Sequence, residues 1–142
     1  MAGYSRIPLP QKLGIKPMCR LGLAKAPENF ASVLGPLPVG VQPTDAARAK
    51  GPLDVIVCFA TTEGQLAAAF SRLAPKLAPT GGLWIAWPKK KTVRKSSEMA
   101  DVLGENVVRR TGLATGRLVD NKVCAIDETW SGLRFVVRLS HR

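Results

Sequence analysis

Two stretches of the chain are apolar without alternation, a pattern typical of strands buried on both faces of a sheet. One runs from Leu53 to Ala60 and the other from Leu83 to Trp87. Between them, large apolar residues recur at helical spacing from about Glu63 to Ala74, and Thr61 or Thr62 can cap the start of that helix. The middle of the chain therefore predicts a strand–helix–strand unit.

Smaller elements are predicted before this unit. Three prolines indicate an extended arm over residues 1–18, with one helical turn, ahead of a single domain over residues 19–142. The segment Cys19–Ala24 predicts a first strand, and Glu28–Leu34 predicts a short helix. In the stretch rich in Pro and Gly that follows, at most one short strand is expected, around Val39–Gln42.

The C-terminal part predicts one helix and two strands. The helix runs from about Ser97 to Thr111 and ends at Gly112, and the strands are Leu118–Ile126 and Leu133–Leu139. Alternation in the last segment indicates an antiparallel strand that is half-exposed or lies at the sheet edge. The order of elements predicts an α/β fold: a small, doubly wound, mostly parallel sheet with a C-terminal antiparallel hairpin.

The formal net charge is +11 for 142 residues, which produces a positive field that attracts nucleic acid, anionic lipid or acidic proteins. Solubility alone explains such a charge equally well. The charge is densest over residues 89–95, where five of seven residues are basic: Lys89, Lys90, Lys91, Arg94 and Lys95. Repulsion among these charges does not stabilise the fold, so this segment is predicted to bind a nucleic acid or an acidic protein.

The cysteines and the histidine exclude several kinds of site. Cys19, Cys58 and Cys124 are odd in number and widely spaced, which predicts buried free thiols in a reducing cytoplasm. The one histidine, His141, lies near the end of the chain, so a His-based metal site or a Ser–His triad is not expected. With no apolar leader and no apolar run near ~18 residues, the protein is predicted to be cytoplasmic and to bind no membrane.

Three segments resemble the Rossmann-like methyltransferases that use S-adenosylmethionine. Leu53–Val57 resembles their fourth strand, Leu77–Ile85 resembles the Leu-x-Pro-Gly-Gly turn into their fifth, and the final hairpin resembles their sixth and seventh strands. The resemblance covers roughly the second half of that fold. It implies a Rossmann-like topology and, in an intact member, an S-adenosylmethionine site.

A closer resemblance, over nearly the whole chain, is to an uncharacterised bacterial family classed as domain of unknown function 3052. The segments that carry it are Leu13–Pro17, Trp87–Lys90 and Val123–Phe135. The family consists of small single-domain proteins, so this resemblance implies no activity. Met18 departs from the family, which usually has glycine there.

Ligands of open α/β sheets bind at the carboxyl ends of the strands, and the first such turn here lacks the usual features of a cofactor site. The turn contains Lys25, Pro27, Glu28 and Asn29 but no glycine, and Pro27 has no N–H to donate. Asp45 is the residue nearest to the acidic position that would hold ribose hydroxyls. No cofactor is therefore expected, with S-adenosylmethionine kept as an alternative.

Other strand ends supply further candidate residues. Thr61 and Thr62 could contact an anion, although an ordinary helix cap is the more common role. Trp87, followed by Lys89, Lys90 and Lys91, could stack a base and hold phosphates. The alternative is a core tryptophan followed by a solvated basic loop.

The turn between the last two strands contains Asp127, Glu128 and Trp130. These residues could supply a general base or a metal contact. A structural role is favoured, in which Asp127 and Thr129 order the turn, Trp130 packs on the sheet and Glu128 pairs with a nearby cation.

Three functions follow from these observations. The first is a non-catalytic binding module on a degenerate methyltransferase-like fold, with a basic face for a nucleic acid or an acidic protein. The alternatives are a methyltransferase with an altered cofactor loop, and a structural or regulatory subunit that binds through the outer edge of the hairpin. In the last case Arg134 and Arg138 would line the interface.

Overall fold

The computed structural model of the chain describes residues 7–89 and 103–141. The strands are β1 Leu21–Ala24, β2 Pro43–Asp45, β3 Leu53–Phe59, β4 Leu77–Pro88, β5 Leu118–Ala125 and β6 Trp130–Val137. The α-helices are α1 Leu9–Lys12, α2 Phe30–Leu34, α3 Glu63–Leu73 and α4 Glu105–Leu113. Short 3₁₀ helices occupy Ala74–Lys76 and Leu139–His141.

The six strands form one mixed sheet in the order β2-β1-β3-β4-β6-β5. β2, β1, β3 and β4 are parallel, whereas β6 is antiparallel to both β4 and β5. The predicted α/β class and the C-terminal antiparallel hairpin are confirmed. The doubly wound direction of the connections stays a prediction.

Both faces of the sheet are covered, as the continuous apolar runs predict. On one face, α3 and α4 pack on the side chains that include Ile56, Leu83 and Phe135. On the other, α2 and the segment after α1 pack on those that include Val57 and Trp84. Neighbouring residues of β3 and β4 therefore point into different halves of the core, which explains why these strands show no alternation.

The N-terminal segment packs on the same face of the sheet as α2. The predicted single helical turn is confirmed as α1, and Leu13 and Ile15 after it are buried. The buried indole Nε1 of Trp84 donates a hydrogen bond to the Leu13 carbonyl oxygen at 3.0 Å. The division of the chain at residue 18 stays a prediction.

Two strand predictions are wrong in position. The short strand expected around Val39–Gln42 lies instead at Pro43–Asp45, where all three residues are exposed and only pairing with β1 defines the strand. The last strand, β6, is not at the edge: β5 is the edge strand. Arg134 and Arg138, expected on an outer edge, therefore lie on or next to an inner strand and are half-buried.

The segment Pro79–Gly82 lies inside a strand. β4 begins at Leu77, earlier than the predicted Leu83, and its pairing with β3 is irregular at this point. Leu53 pairs with Leu77, whereas Val55 pairs with Gly82, so the extra residues bulge out of the sheet.

The ends of two helices differ from expectation: α2 begins at Phe30 and not at Glu28, and the C-terminal helix continues past Gly112. α3 begins as predicted, with Thr62 as its cap. The C-terminal helix is described from Glu105, and its predicted start at Ser97 lies outside the described residues. Gly112, expected to end that helix, lies inside it and is buried against Phe135.

The three cysteines are free, and their burial differs. Cys58 is 3% exposed, and burial raises the pKa of its thiol to about 11. Cys19 and Cys124 are only half-buried, so the prediction of buried thiols holds for Cys58 alone. Within the described parts of the chain, no helix is long and apolar enough to cross a membrane.

Candidate functional site

The parallel strands end at one edge of the sheet, which we call the carboxyl edge. Lys25 follows β1 there, Asp45 ends β2, Phe59 ends β3 and Pro88 ends β4. The turn between β5 and β6 lies at the same edge because Trp130 pairs with Pro88. The topology thus brings together the strand ends that contain most of the predicted site residues.

The turn after β1 accepts hydrogen bonds from the first residues of the helix that follows it. Pro27 accepts a bond from the Phe30 N–H at 3.0 Å, and Asn29 accepts bonds from Ser32 and Val33 at 3.1 Å each. Three of the N–H groups near the start of α2 are therefore already used, and Pro27 has no N–H to offer an anion. Lys25 has a φ of 59°, in the left-handed region that glycine favours.

A row of three aromatic rings lies along this edge, and two of its members were not singled out from the sequence. The ring of Phe59 contacts Phe30 and Trp130 edge-on, with both pairs of centroids 4.9 Å apart. The only local signal for Phe30 and Phe59 was their position at the start of a helix and at the end of a buried strand. Trp130 packs on the sheet through Phe59, as the structural interpretation of that residue predicts.

Asp45 ends β2, the position where a ribose-binding acid would lie, and pairs in register with Leu23 of β1. Its carboxylate accepts a hydrogen bond from the Ala47 N–H at 2.9 Å and lies 3.8 Å from the Arg48 guanidinium. Asp45 is exposed, so these contacts leave part of the carboxylate open to a ligand.

Thr61 and Thr62 act as a helix cap. The Thr62 hydroxyl oxygen accepts a hydrogen bond from the Gln65 N–H at 3.1 Å. The N–H and hydroxyl of Thr61 donate to the Gln65 side-chain oxygen at 2.8 and 3.0 Å. The capping alternative therefore accounts for both threonines without a ligand.

Trp87 is a core residue with 5% exposure, so no face of its indole is open to a base. This is the alternative that the sequence left open for it. The backbone N–H of Lys89 donates to the Thr129 carbonyl at 2.8 Å, which ties the start of the basic segment to the hairpin turn. Lys90, Lys91, Arg94 and Lys95 lie outside the described residues.

Asp127 orders the hairpin turn, as its structural interpretation predicts. One of its carboxylate oxygens accepts hydrogen bonds from the Thr129 and Trp130 N–H groups, both at 2.8 Å. Glu128 is exposed at the tip of the turn and forms no ion pair with a described residue, so its predicted pairing with a cation is wrong for this part of the chain. Over residues 7–89 and 103–141, no group of three His, Cys, Asp or Glu side chains could hold a metal ion.

A cavity of about 450 Å³ opens beside this turn. Three parts of the chain line it. They are the N-terminal segment (Ile7, Leu9 and Lys12), α2 with the residue before it (Val33 and Asn29), and the hairpin turn (residues 125–129). Of the predicted site residues, the structure brings Asn29, Asp127 and Glu128 to this cavity. Lys25, Thr61 and Trp87 do not line it.

Solved methyltransferase structures are similar to this chain. The N-methyltransferase NodS from Bradyrhizobium japonicum WM9 has a TM-score of 0.54 and 17% identity, over 83% of this chain and 84% of that chain. Magnesium protoporphyrin IX methyltransferase from Synechocystis PCC 6803, solved with bound SAH, has a TM-score of 0.58 and 12% identity, over 92% and 78%. The chain has a methyltransferase-like fold.

A third similar structure is the ribosomal protein L11 methylase from Lactobacillus delbrueckii subsp. bulgaricus, with a TM-score of 0.54 and 13% identity over 92% of this chain and 75% of that one. Identities this low support a common fold alone. No family model matches the chain, and no curated protein sequence matches it. Membership in the domain of unknown function 3052 family therefore has no support from family models and stays a prediction.

Proposed function

We propose that this protein is a non-catalytic binding module on a methyltransferase-like fold, which binds nucleic acid through the basic segment Lys89–Lys95. The observation that carries the proposal is the turn after β1. It has lysine and proline where the fold's cofactor loop would need glycines, and the N–H groups of Phe30, Ser32 and Val33 are bonded to its own carbonyl oxygens. The protein would thus keep the fold without the usual cofactor site.

The aromatic row supports the same proposal. Phe30 and Phe59 are 2% and 3% exposed, and their rings pack edge-on at the first strand-to-helix turn. These rings stabilise the edge by their mutual contacts, so the turn does not depend on a bound cofactor for its packing. A methyltransferase-like domain with such an edge could bind a partner on its surface without holding a cofactor.

The basic segment supports nucleic acid as the partner. It begins at Lys89, directly after β4, within a chain of net charge +11. Phosphate neutralisation by closely spaced lysines releases counterions, which gives affinity without any sequence preference. An acidic protein is the other partner class, and it becomes an outcome of the test. A cytoplasmic, bacterial setting is proposed with this function.

The test is fluorescence anisotropy with labelled single-stranded oligonucleotides across a range of salt concentrations. In single-stranded binding each lost phosphate contact lowers the slope of log K against log salt by about 0.7. We expect the triple variant K89A/K90A/K91A to bind more weakly to every sequence and to have a lower slope. The matched control is K16A/K50A/R72A, which removes the same charge from exposed residues toward the opposite edge of the sheet.

Two results would count against the proposal. Absence of binding at low salt would remove nucleic acid as the partner, and an acidic polypeptide such as polyglutamate would then be tested with the same variants. An equal loss of affinity in the two triple variants would mean that net charge, and not the basic segment, causes the attraction.

A methyltransferase with an altered cofactor loop is the second candidate, and two observations favour it. Lys25 has the left-handed backbone of a glycine loop, and Asp45 ends β2 beside it. The cofactor would be S-adenosylmethionine, which supplies an activated methyl group when bound. Asp45 would accept hydrogen bonds from its ribose hydroxyls. Thermal-shift measurement tests this: at ~100 times its Kd a ligand stabilises by about 2.7 kcal/mol. No shift with millimolar S-adenosylmethionine or its demethylated product would exclude it.

A further inference from the structure

The cavity between the N-terminal segment, α2 and the hairpin turn adjoins the start of the basic segment, because Thr129 in its lining accepts the Lys89 N–H. The ligand proposed for it has no part in nucleic-acid binding. The cavity volume of about 450 Å³ is within the range of roughly 300–1,000 Å³ that is typical of small-molecule sites. We propose that it binds a small organic cation with an apolar body, of the arylalkylamine class.

The apolar part of the ligand would contact the wall formed by three different elements. Leu9 and Val33 are half-buried and face the cavity from α1 and α2, and Ile126, 6% exposed, lies below them at the end of β5. Because the three residues are far apart in the chain, the wall exists only in the folded protein. Such a preformed apolar wall contributes to binding without an ordering cost.

The charges around the cavity favour a cation. Asp127 and Glu128 line it, and Lys12 is the one cationic residue in the lining that the described part of the chain supplies. The Lys12 ammonium donates a hydrogen bond to the Ala125 carbonyl at 3.1 Å, so one of its donors is used within the wall. The Lys122 ammonium lies nearby and donates to the Lys12 carbonyl oxygen at 3.3 Å, so both ammonium groups are bonded to backbone carbonyls. The two carboxylates of the hairpin turn would therefore attract an ammonium group at their end of the cavity.

Two of the polar side chains are available to a ligand. Within the described residues, the Glu128 carboxylate has no hydrogen bond or ion pair with another side chain, and the Asn29 side chain makes no cap to α2. Asp127 has one oxygen held by the turn. Glu128 would therefore pair with the ammonium group, with Asn29 as a further hydrogen-bonding partner.

The test compares three probes of nearly equal shape: phenethylamine, 2-phenylethanol and phenylacetate. Amide chemical shifts are followed in the wild-type protein, and isothermal titration gives the affinities. We expect phenethylamine to move the Asn29 and Thr129 amides and to bind at least about fivefold more tightly than phenylacetate, the factor that an exposed ion pair can supply. Equal affinity for the amine and the acid, or no shift with millimolar amine, would overturn the proposal.

Variants locate the site. Glu128→Gln should weaken phenethylamine binding by up to about fivefold, whereas Glu63→Gln, which removes an exposed acid of α3 outside the cavity, should not. Val33→Phe should project its ring into the cavity and weaken binding, and Val33→Leu narrows the cavity less and replaces it if the larger side chain prevents folding. An unchanged affinity in Glu128→Gln, or in a folded Val33 variant, would contradict the assignment. Nucleic-acid affinity is a separate measurement, and it should be unchanged in the Val33 variants, which alter no charge.

Discussion

Lys25 has the left-handed backbone conformation that glycine adopts without strain, at φ 59°. A left-handed residue with a Cβ costs about 1–2 kcal/mol, partly offset because glycine loses more backbone entropy on folding. We therefore expect Lys25→Gly to raise the free energy of unfolding by up to about 1 kcal/mol. Lys25→Ala, which keeps the Cβ, should give no such gain, and chemical denaturation measures both. A larger gain for alanine than for glycine would contradict the backbone explanation.

Cys58 gives a prediction about pH. Burial raises the pKa of its thiol from 9.0 to about 11, although the positive charge of Lys25 acts in the opposite direction. The contribution to stability is fully present below pH 9 and is lost as pH rises toward about 11, because only the unfolded thiol then ionises readily. The largest loss is about 2–3 kcal/mol, since one pKa unit corresponds to about 1.4 kcal/mol.

Denaturation of the wild-type protein and of Cys58→Ala across this pH range tests the point. The alanine variant is less stable at neutral pH but should lose less stability as the pH rises. Parallel profiles for the two proteins would show that lysine deprotonation, and not Cys58, governs the alkaline range.

Helix α4 has a glycine that serves packing. A Cβ at Gly112 would overlap the ring of Phe135, whereas a Cβ at Gly64 in α3 would have only the Thr62 hydroxyl within 4 Å, at 3.9 Å. We expect Gly112→Ala to destabilise by about 1–3 kcal/mol, the usual cost of overpacking a core. Gly64→Ala should instead stabilise by up to about 1 kcal/mol through helix propensity. The two thermal unfolding midpoints should shift in opposite directions, and a gain in both would mean that Phe135 moves aside freely.

Whether an element could be predicted from the sequence depends on how local its signal is. Buried strands such as β3 have a strong local signal, and its predicted bounds differ from the observed ones by one residue. β2 has three exposed residues and is defined only by pairing with β1, so no local pattern identifies it. Alternation in β6 predicted an edge or half-exposed strand, whereas β6 lies between β4 and β5 and most of its residues are buried. Gly112 was assigned to a helix end because local rules cannot anticipate contact with Phe135, a residue 23 positions later in the same sequence.

At the scale of the whole molecule, the carboxyl edge was predictable and the cavity was not. Parallel strands end at one edge by topology, so Lys25, Asp45 and Thr61 could be assigned to it from the sequence alone. The cavity depends on how the N-terminal segment docks, through contacts such as Trp84 to Leu13. Contacts over such sequence separations have no local signature, which is why Lys12 and Val33 were not among the predicted site residues.

The net charge of the whole molecule gives the last prediction. The chain has 21 Lys and Arg against 10 Asp and Glu, so like charges predominate on its surface and their repulsion lowers the stability of the compact state. Salt shortens the range of this repulsion to about 8 Å at physiological ionic strength. The thermal midpoint should therefore rise as sodium chloride is added from low concentration.

A charge-reduced variant separates screening from other effects of salt. K16Q/K50Q/R72Q lowers the charge at exposed positions without touching the basic segment or the cavity. Its midpoint should be higher than that of the wild-type protein at low salt and should depend less on salt, because less repulsion remains to be screened. If the wild-type midpoint falls with salt, attractive ion pairs outweigh repulsion. The excess charge would then not lower the stability of the fold. Repulsion would no longer be a physical reason to assign the basic segment to binding.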